Sequence, residues 1–342
     1  MIRTLVVDDS KFMRTLISDM LVSDSHIDVI ATAKDGTDAV AQARLHHPDV
    51  ITLDVEMPRM DGLEALKAIM KENPTPVVML SALTQEGADA TLEALHHGAV
   101  DFVPKPSGSL SLDIDKVKDL LISKIKAASL AKPERHLAPR LHRARASFRR
   151  VTGKHVIAIG TSTGGPRALS ELLPQFPGDI PAGILIVQHM PPWFTKSLAE
   201  RLDRSCAIRV KEAEVGDKIE DGQALIAPGD YHMVVKRAEN GERVVDLNQD
   251  PPVHAVRPAA DIMLQSVAAS YGSRTLGVIL TGMGSDGACG MEAIKEHGGK
   301  TIVSDEETSL IFGMPKAAID LGCVDRIAPL HKIPEEIGSM LG

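Results

Sequence analysis

Two apolar runs in this 342-residue chain end in residue types that can do chemistry. The run 4–7 is followed by two adjacent acids, Asp8 and Asp9, whose hard oxygen atoms suit Mg²⁺ and a bound phosphoryl group. The run 155–159 is followed by the motif Gly-Thr-Ser-Thr-Gly, which places Ser162 between small residues. This spacing is typical of a sharp strand-to-helix turn that exposes a nucleophilic hydroxyl. The sequence therefore predicts an enzyme that carries its own phosphorylation switch.

A nucleophilic serine needs a base, and the base needs an acid that orients it. His189 ends a later apolar run, and Asp286 lies in the glycine-rich loop after another. Because Ser162, His189 and Asp286 each follow a predicted strand, one cleft at the edge of a sheet can hold all three. His232 and His254 are the rival candidates for the base. The chain order Ser, His, Asp differs from that of the α/β-hydrolases and argues against their fold.

Negative charge that develops on a substrate carbonyl requires N–H donors close to the serine. The predicted helix after Ser162 begins near Pro166, and the N–H groups of its first turn have no partner within the helix. We expect the backbone N–H of Met283, or that of Thr163 in the turn after the serine, to face the oxyanion.

Further polar residues follow the predicted strands of the first 125 residues. Asp54 follows the third strand, Ser81 the fourth, and Lys105 the fifth. Carboxylates brought together with Asp8 and Asp9 repel one another unless a cation neutralises them. A lysine and a hydroxyl group can contact the charge of a phosphoryl group. The sequence therefore predicts a phosphorylation site that binds Mg²⁺ at this edge of the sheet.

Apolar, β-rich runs alternate with helical patterns along most of the chain, which predicts parallel sheets covered by helices on both faces. The segment 230–248 alternates apolar and polar residues and is predicted to form an antiparallel hairpin. The predicted strands of the first part are 4–7, 29–31, 50–53, 77–80 and 99–103. Those of the second part are 155–159, 183–187, 224–227, 276–280 and 301–303.

Length and charge predict two acidic domains joined by a basic segment. We expect a first domain over 1–125, a Pro-containing linker over 126–152 and a second domain over 153–342. Residues 132–150 carry a net charge of +6, whereas 1–130 and 151–342 each carry −7. The basic segment is typical of a solvated tether, and an arm that docks nucleic acid or a partner is the alternative.

Composition argues against several classes of protein. No apolar run approaches ~20 residues, so neither a transmembrane helix nor membrane insertion is expected. The N-terminus lacks the pattern of a signal peptide, and the three cysteines lack a CxxC spacing that would indicate a zinc site. Aromatic residues make up only 3% of the chain, which argues against a surface that binds nucleic acid by stacking on its bases. We therefore expect a cytoplasmic protein without a nucleic-acid partner.

The first domain resembles the receiver domains of two-component response regulators. The resemblance implies a flavodoxin-like fold with a five-stranded parallel sheet, and a histidine kinase that transfers phosphate to Asp54. It also implies that Ser81 and Lys105 contact the phosphoryl group. The motifs that carry it are 6–10 (VVDDS), 53–62 (LDVEMPRMDG), 80–82 (LSA) and 105–106 (KP).

The same resemblance implies the ligands of a Mg²⁺ ion that serves only the phosphorylation. Asp9 and Asp54 would bind it directly together with the main-chain carbonyl of Glu56, and Asp8 would bind it through a water molecule.

The chain as a whole resembles the chemotaxis-specific protein-glutamate methylesterases, the CheB family, in which a receiver precedes a doubly wound α/β catalytic domain. The resemblance implies a phosphorylation-activated hydrolase that acts on methyl-accepting chemotaxis receptors. It would demethylate glutamate methyl esters with release of methanol, and deamidate specific glutamines with release of ammonia, without a cofactor. Thr161 and Ser285 stand where the family often has Ala and Asn. The matching stretches are 159–165 (IGTSTGG), 187–192 (VQHMPP), 226–233 (IAPGDYHM), 277–288 (GVILTGMGSDGA) and 312–318 (FGMPKAA).

Three other functions are compatible with parts of the sequence. A receiver with a DNA-binding output is disfavoured by the acidic second domain and the lack of a helix-turn-helix pattern. A non-catalytic adaptor is a second alternative, and it would keep its function when Ser162 is replaced. An esterase or amidase for small molecules stays open. We expect the unphosphorylated receiver to block the cleft against a bulky protein substrate, and a small substrate would hardly need a whole domain to exclude it.

Overall fold

The structure is a computed structural model of the chain that describes residues 1–105, 114–131 and 154–341. The chain divides into two compact units, Met1–Arg140 and Leu141–Gly342. Each unit has a parallel sheet of its own.

The first unit is a five-stranded parallel sheet with the strand order β2-β1-β3-β4-β5. All five residues of β3 and of β4 are buried, as expected for strands covered on both faces. The strands are β1 (Ile2–Val7), β2 (Ile27–Ala33), β3 (Val50–Asp54), β4 (Val77–Ser81) and β5 (Asp101–Pro104). The helices are α1 (Lys11–Val22), α2 (Gly36–His46), α3 (Gly62–Glu72), α4 (Gln85–His96) and α5 (Ile114–Ala128).

Short polar residues start the helices of this unit soon after the strands end. The side chains of Ser10, Asp35, Asp61 and Thr84 each accept a hydrogen bond from the first turn of the helix that follows. Tight strand-to-helix turns keep the strand ends open on one edge of the sheet. The strand order reverses between β1 and β3, so this edge forms a crevice between them.

The second unit is a seven-stranded parallel sheet with the order β14-β13-β12-β6-β7-β9-β8. Its order reverses between β12 and β6, which again creates a crevice at the carboxyl ends of two neighbouring strands. The sheet strands are β6 (His155–Thr161), β7 (Ala182–Gln188), β8 (Arg209–Glu212), β9 (Gln223–Ile226), β12 (Thr275–Ile279), β13 (Lys300–Ser304) and β14 (Arg326–Ala328). The helices are α6 (Gly165–Leu172), α7 (Phe194–Asp203), α8 (Ala260–Tyr271), α9 (Ala288–Glu296), α10 (Gly313–Asp320) and α11 (Ile333–Leu341).

A separate antiparallel hairpin of β10 (His232–Arg237) and β11 (Arg243–Asn248) pairs His232 with Asn248. Its buried residues Met233 and Val245 share a core cluster with Met263 and Val267 of α8. This packing ties the hairpin to the helix that begins beside the crevice.

The predicted fold class is confirmed, including both parallel sheets and the hairpin. The domain boundaries stay predictions. Helix α5 continues to Ala128, and most of the expected linker, residues 132–152, lies outside the described residues. None of the helices in the described ranges combines the length and hydropathy that a membrane span requires.

Candidate active site and phosphorylation site

Ser162 follows β6 at the crevice of the second unit and is 8% exposed. Its N–H donates to the carbonyl of Thr281, which follows β12, over 3.0 Å. Its own carbonyl accepts hydrogen bonds from Gly165 N (2.8 Å) and from Gln188 Nε2 (2.9 Å). The serine backbone is therefore fixed from both neighbouring strand ends.

Two glycines allow the chain to turn sharply after the serine. Gly164 has a φ of +80°, a conformation that favours glycine. A Cβ on Gly165 would lie 1.9 Å from Gln188 Oε1 and 2.6 Å from Thr161 Oγ1. The Gln188 side chain also donates to the carbonyl of His189 over 3.3 Å. This buried amide therefore holds both the turn after Ser162 and the main chain at His189. The sequence motifs do not predict this role of the Gln188 amide. A polar residue at the end of a wholly buried strand nevertheless indicates that its side chain has hydrogen-bond partners.

His189 and Asp286 form a hydrogen-bonded pair beside the serine. His189 Nε2 lies 2.7 Å from Asp286 Oδ2, and both side chains are largely buried. The two carboxylate oxygens also accept the N–H groups of Ala260 (2.6 Å) and Asp261 (2.9 Å), which open helix α8. Burial acts to raise the pKa of Asp286, but His189 and these N–H groups outweigh it and hold the pKa below its ordinary value. Asp286 is therefore an ionised partner that orients the imidazole.

The structure brings the three residues together at three neighbouring strand ends. The N–H of His189 donates to the carbonyl of Thr161 over 3.2 Å, directly before the serine. A Cβ on Gly282, in the loop that leads to Asp286, would lie 2.9 Å from Ser162 Cβ. Within the described ranges no hydrogen bond joins the serine hydroxyl to the imidazole. Since Nε2 bonds Asp286, Nδ1 of His189 is the ring nitrogen left for proton exchange.

The expected oxyanion residues lie on either side of the serine. Thr163 is buried and its carbonyl accepts a hydrogen bond from Thr281 Oγ1 over 2.9 Å. Met283 follows Gly282, whose missing side chain leaves the loop close to Ser162, and its own side chain is 39% exposed. Both main-chain segments therefore border the serine.

The two rival histidines have other partners. His232 is fully buried, with Nδ1 accepting the N–H of Ala259 (3.2 Å) and Nε2 3.2 Å from the carbonyl of Pro251. Both ring nitrogens are occupied by the main chain, as in a structural histidine. His254 Nε2 instead lies 2.9 Å from Asp261 Oδ2, and its side chain is 38% exposed.

The second predicted site lies at the crevice of the first unit. Asp8, Asp9 and Asp54 each place an oxygen within 4.8 Å of the others. Lys105 Nζ lies 2.9 Å from Asp8 Oδ2 and 2.6 Å from Asp54 Oδ2. The N–H of Glu56 donates to Asp54 Oδ1 over 3.2 Å, which holds this residue next to the aspartate.

Charge in this cluster is only partly compensated. Burial and, to a smaller extent, the nearby Asp8 carboxylate raise the pKa of Asp54 to about 6, against the opposing effect of the Lys105 ammonium group. Burial acts to lower the pKa of Lys105, but the carboxylates of Asp54 and Asp8 together outweigh it and hold this pKa above its ordinary value. Among the described residues, the Lys105 ammonium group thus contacts two of the three clustered carboxylates.

The residues fit Mg²⁺, the metal that receiver domains bind in phosphorylation. The buried oxygens Asp8 Oδ2 and Asp54 Oδ2 contact Lys105 as ion pairs but accept no well-aligned hydrogen bond from the described residues. Carboxylate oxygens without a well-aligned hydrogen bond, close to a third carboxylate, are the kind of ligand that a hard divalent cation binds.

Ser81 is fully buried at the end of β4, and its hydroxyl bonds a carbonyl rather than one of the acids. It lies 3.1 Å from the carbonyl of Gly87 and 3.3 Å from that of Ala82. The hydroxyl thus ties the strand end to the first turn of α4, next to Asp54.

Two family models match the two units. The response regulator receiver domain matches residues 4–113, and the CheB methylesterase model matches residues 157–337, more than half of the chain. The chain belongs to the CheB methylesterase family. This confirms the resemblance that the sequence motifs indicate.

Full-length relatives cover nearly the whole chain. The protein-glutamate methylesterase/protein-glutamine glutaminase of Pyrococcus horikoshii is 53% identical over 98% of this chain and 92% of its own length. The protein of the same name from Thermotoga maritima is 48% identical over 98% of this chain and 97% of its own length. The crystal structure of the Thermotoga maritima CheB methylesterase catalytic domain is 46% identical, with a TM-score of 0.54, and matches 55% of this chain and 99% of its own.

Gly62, the first residue of α3, offers a test of how tightly the predicted phosphorylation site is packed. A Cβ there would lie 2.0 Å from the main-chain oxygen of Asp54 and 2.9 Å from Val55 Cα. Because backbone atoms cannot move aside cheaply, we expect Gly62→Ala to lower the free energy of unfolding of the first unit by about 1–3 kcal/mol. Urea denaturation measures this free energy of unfolding. The control is Lys67→Ala, an exposed position in the same helix, whose free energy of unfolding should stay within about 0.5 kcal/mol of the wild type. Equal stability of the two variants would contradict this packing.

Proposed function

We propose that the chain is a phosphorylation-activated protein-glutamate methylesterase and protein-glutamine glutaminase of the serine type. Its substrates are methyl-accepting chemotaxis receptors, and its phosphodonor is a chemotaxis histidine kinase. The observation that carries the proposal is the 2.7 Å His189–Asp286 pair beside Ser162 in a crevice. Relatives that bear this name cover almost the entire chain, which supports the choice of substrate.

In the first half of the reaction, the Ser162 hydroxyl oxygen attacks the carbonyl carbon of a glutamate γ-methyl ester. Nδ1 of His189 takes the hydroxyl proton as the C–O bond forms. The ionised Asp286 stabilises the imidazolium that results and keeps the ring in the tautomer with a proton on Nε2. His189 then returns the proton to the departing methoxide oxygen, and methanol leaves an acyl-serine.

In the second half, His189 removes a proton from a water molecule that attacks the acyl carbon. Collapse of the tetrahedral intermediate breaks the bond to Ser162, which recovers its proton from His189, and frees the glutamate carboxylate. A glutamine side chain follows the same course with ammonia as the leaving group. Neither half needs a cofactor.

Both tetrahedral intermediates carry a negative oxygen that requires hydrogen-bond donors. We assign this role to the main-chain N–H groups of Met283 and Thr163, whose segments border the serine. Removal of one such donor costs about 10²–10³-fold in kcat in serine hydrolases.

In the first unit, Asp54 is the proposed phosphoryl acceptor. Asp8, Asp9, Asp54 and the Glu56 carbonyl would hold Mg²⁺, which supplies positive charge to the phosphoryl oxygens when it is bound. Lys105 neutralises part of the remaining charge, and the Ser81 hydroxyl would turn from the Gly87 carbonyl towards the phosphoryl group.

Phosphorylation is expected to raise the esterase rate because the modified receiver favours an active arrangement of the enzyme. With full-length protein, Mg²⁺ and a small phosphodonor, we expect methanol release to increase about tenfold, within the usual range of allosteric coupling. Asp54→Asn should lose this stimulation while it keeps the basal rate. Release of tritiated methanol from labelled receptor membranes measures both.

The matched control is Asp28→Asn, an exposed residue near the amino end of edge strand β2, opposite the phosphorylation site. It should respond to the donor like the wild type. Donor stimulation that survives in Asp54→Asn would exclude Asp54 as the acceptor. An absence of methanol release from the wild type in every condition would exclude the receptor esterase function itself.

A further inference from the structure

A second histidine–aspartate pair adjoins the first one. His254 Nε2 lies 2.9 Å from Asp261 Oδ2, and one ligand atom from each of His254, Asp261 and Asp286 lies within 4.8 Å of the others. We propose that His254 is a positioning residue for the reaction, which fixes Asp261 and through it the carboxylate of Asp286. The inference deepens the proposed function and rests on it for its kinetic consequences.

Asp261 links three parts of the catalytic unit. Its Oδ1 accepts the N–H of Gly290 in the first turn of α9 over 2.6 Å. Its own N–H donates to Asp286 Oδ1 over 2.9 Å, and its Oδ2 faces His254. A shift of Asp261 therefore moves one of the two N–H donors that hold Asp286.

Two buried carboxylates in one place repel each other unless each has a partner. The side chains of Asp261 and Asp286 are 5% and 2% exposed. His189 pairs with Asp286, and His254 pairs with Asp261. Without His254 the buried Asp261 carboxylate would lose its side-chain partner while it lies next to the Asp286 carboxylate, which favours its displacement.

The main chain at His254 adopts a conformation that its sequence disfavours. His254 and Ala255 have φ values of +52° and +61°, and Val253 and Val256 exchange both main-chain hydrogen bonds around them. This is the geometry of a two-residue turn that normally requires Asn-Gly. Strain of this kind persists only where the surroundings impose it, and it is concentrated at functional sites. The turn aims the imidazole at Asp261.

Arg257 secures the segment that carries this turn. Its guanidinium donates to the carbonyls of Gln249 (2.9 Å) and Asp250 (3.0 Å) and to Asp230 Oδ1 (2.5 Å). The strained turn is thus held by contacts on both sides.

The bonds in place favour a positioning role over a metal site. Every carboxylate oxygen of Asp261 and Asp286 already has a hydrogen-bond partner from the protein, and the His254 Nε2 contact is to Asp261. A metal ion would have to displace these partners.

The test compares His254→Ala and His254→Gln in the full-length protein, with Ala255→Gly as the control in the same turn. We expect His254→Ala to lower kcat for methanol release about tenfold with little change in KM, as for other partners that support a catalytic group. It should also shift the low-field proton resonance of the His189–Asp286 hydrogen bond. Gln can donate from its amide to Asp261, so His254→Gln should restore most of kcat. Glycine adopts the positive φ freely, so Ala255→Gly should match the wild type.

Three outcomes would overturn the inference: an unchanged kcat and resonance in His254→Ala, equal losses in all three variants, or a rise in KM with kcat intact. The last would indicate contact with the substrate instead. The proton resonance requires no substrate, so it decides the inference even if the wild type releases no methanol, a result that would refute only the proposed function.

Discussion

Ser162→Ala is expected to lower kcat for methanol release from methylated receptor membranes by at least roughly 10⁴-fold, as loss of the nucleophile does in other serine hydrolases. The change removes one oxygen atom from a residue whose backbone is fixed by Thr281, Gly165 and Gln188, so the fold should be preserved. Binding of the receptor should persist, because the surrounding crevice is intact.

The matched control is Ser170→Ala in the following helix, whose hydroxyl only bonds the carbonyl of Pro166 over 2.8 Å. The rate of Ser170→Ala should stay within about twofold of the wild type, because the change removes one part-buried hydrogen bond worth about 1 kcal/mol. A Ser162→Ala variant that retains more than about one hundredth of the wild-type rate would not fit a serine nucleophile. Normal signalling by such a variant in cells would instead favour an adaptor.

The sequence predicts most of this architecture because buried parallel strands leave a strong local signal. Strand β7 is buried at every residue and is apolar up to its last residue, Gln188. Strands β3 and β4 are also buried throughout, are mainly apolar and end in a polar residue. By contrast, β8 and β14 are edge strands of four and three residues with exposed side chains, so their patterns resemble loops. The sequence pattern does not predict these two strands.

Most of the predicted site residues share one physical signal, a polar residue at or directly after the end of a buried strand. That signal locates Asp54, Ser162 and His189, because carboxyl ends of parallel strands meet on one edge. It does not locate Asp261, which lies in the first turn of a helix, nor the role of His254, which depends on a turn that its own residues disfavour. The contacts of Asp261 with Asp286 and Gly290 join residues 25 and 29 positions apart, through tertiary packing that a local pattern does not encode.

Asp286→Asn is expected to lower kcat about 10⁴-fold, close to the loss on the corresponding change in other serine hydrolases. An amide is nearly the same size as the carboxylate, but it carries one oxygen and one NH₂ group where two oxygens now accept three N–H groups. Those donors are His189 Nε2 and the N–H groups of Ala260 and Asp261. At least one of the three must therefore face the NH₂ group, and the imidazole loses the negative charge that stabilises its protonated form.

The control for this change is Asp320→Asn, which removes an exposed carboxylate paired with Lys316 at the end of α10. Exposed pairs contribute about 0–1 kcal/mol to stability, so its activity and unfolding midpoint should match the wild type. Proton NMR tests whether loss of the His189–Asp286 hydrogen bond is the cause. In Asp286→Asn the low-field proton resonance of His189 should disappear while the fold persists. If Asp286→Asn kept that resonance and the wild-type kcat, the orienting acid would have to be another residue. The adjoining carboxylate of Asp261 would then be the first candidate, since the main-chain N–H of Asp261 already donates to Asp286.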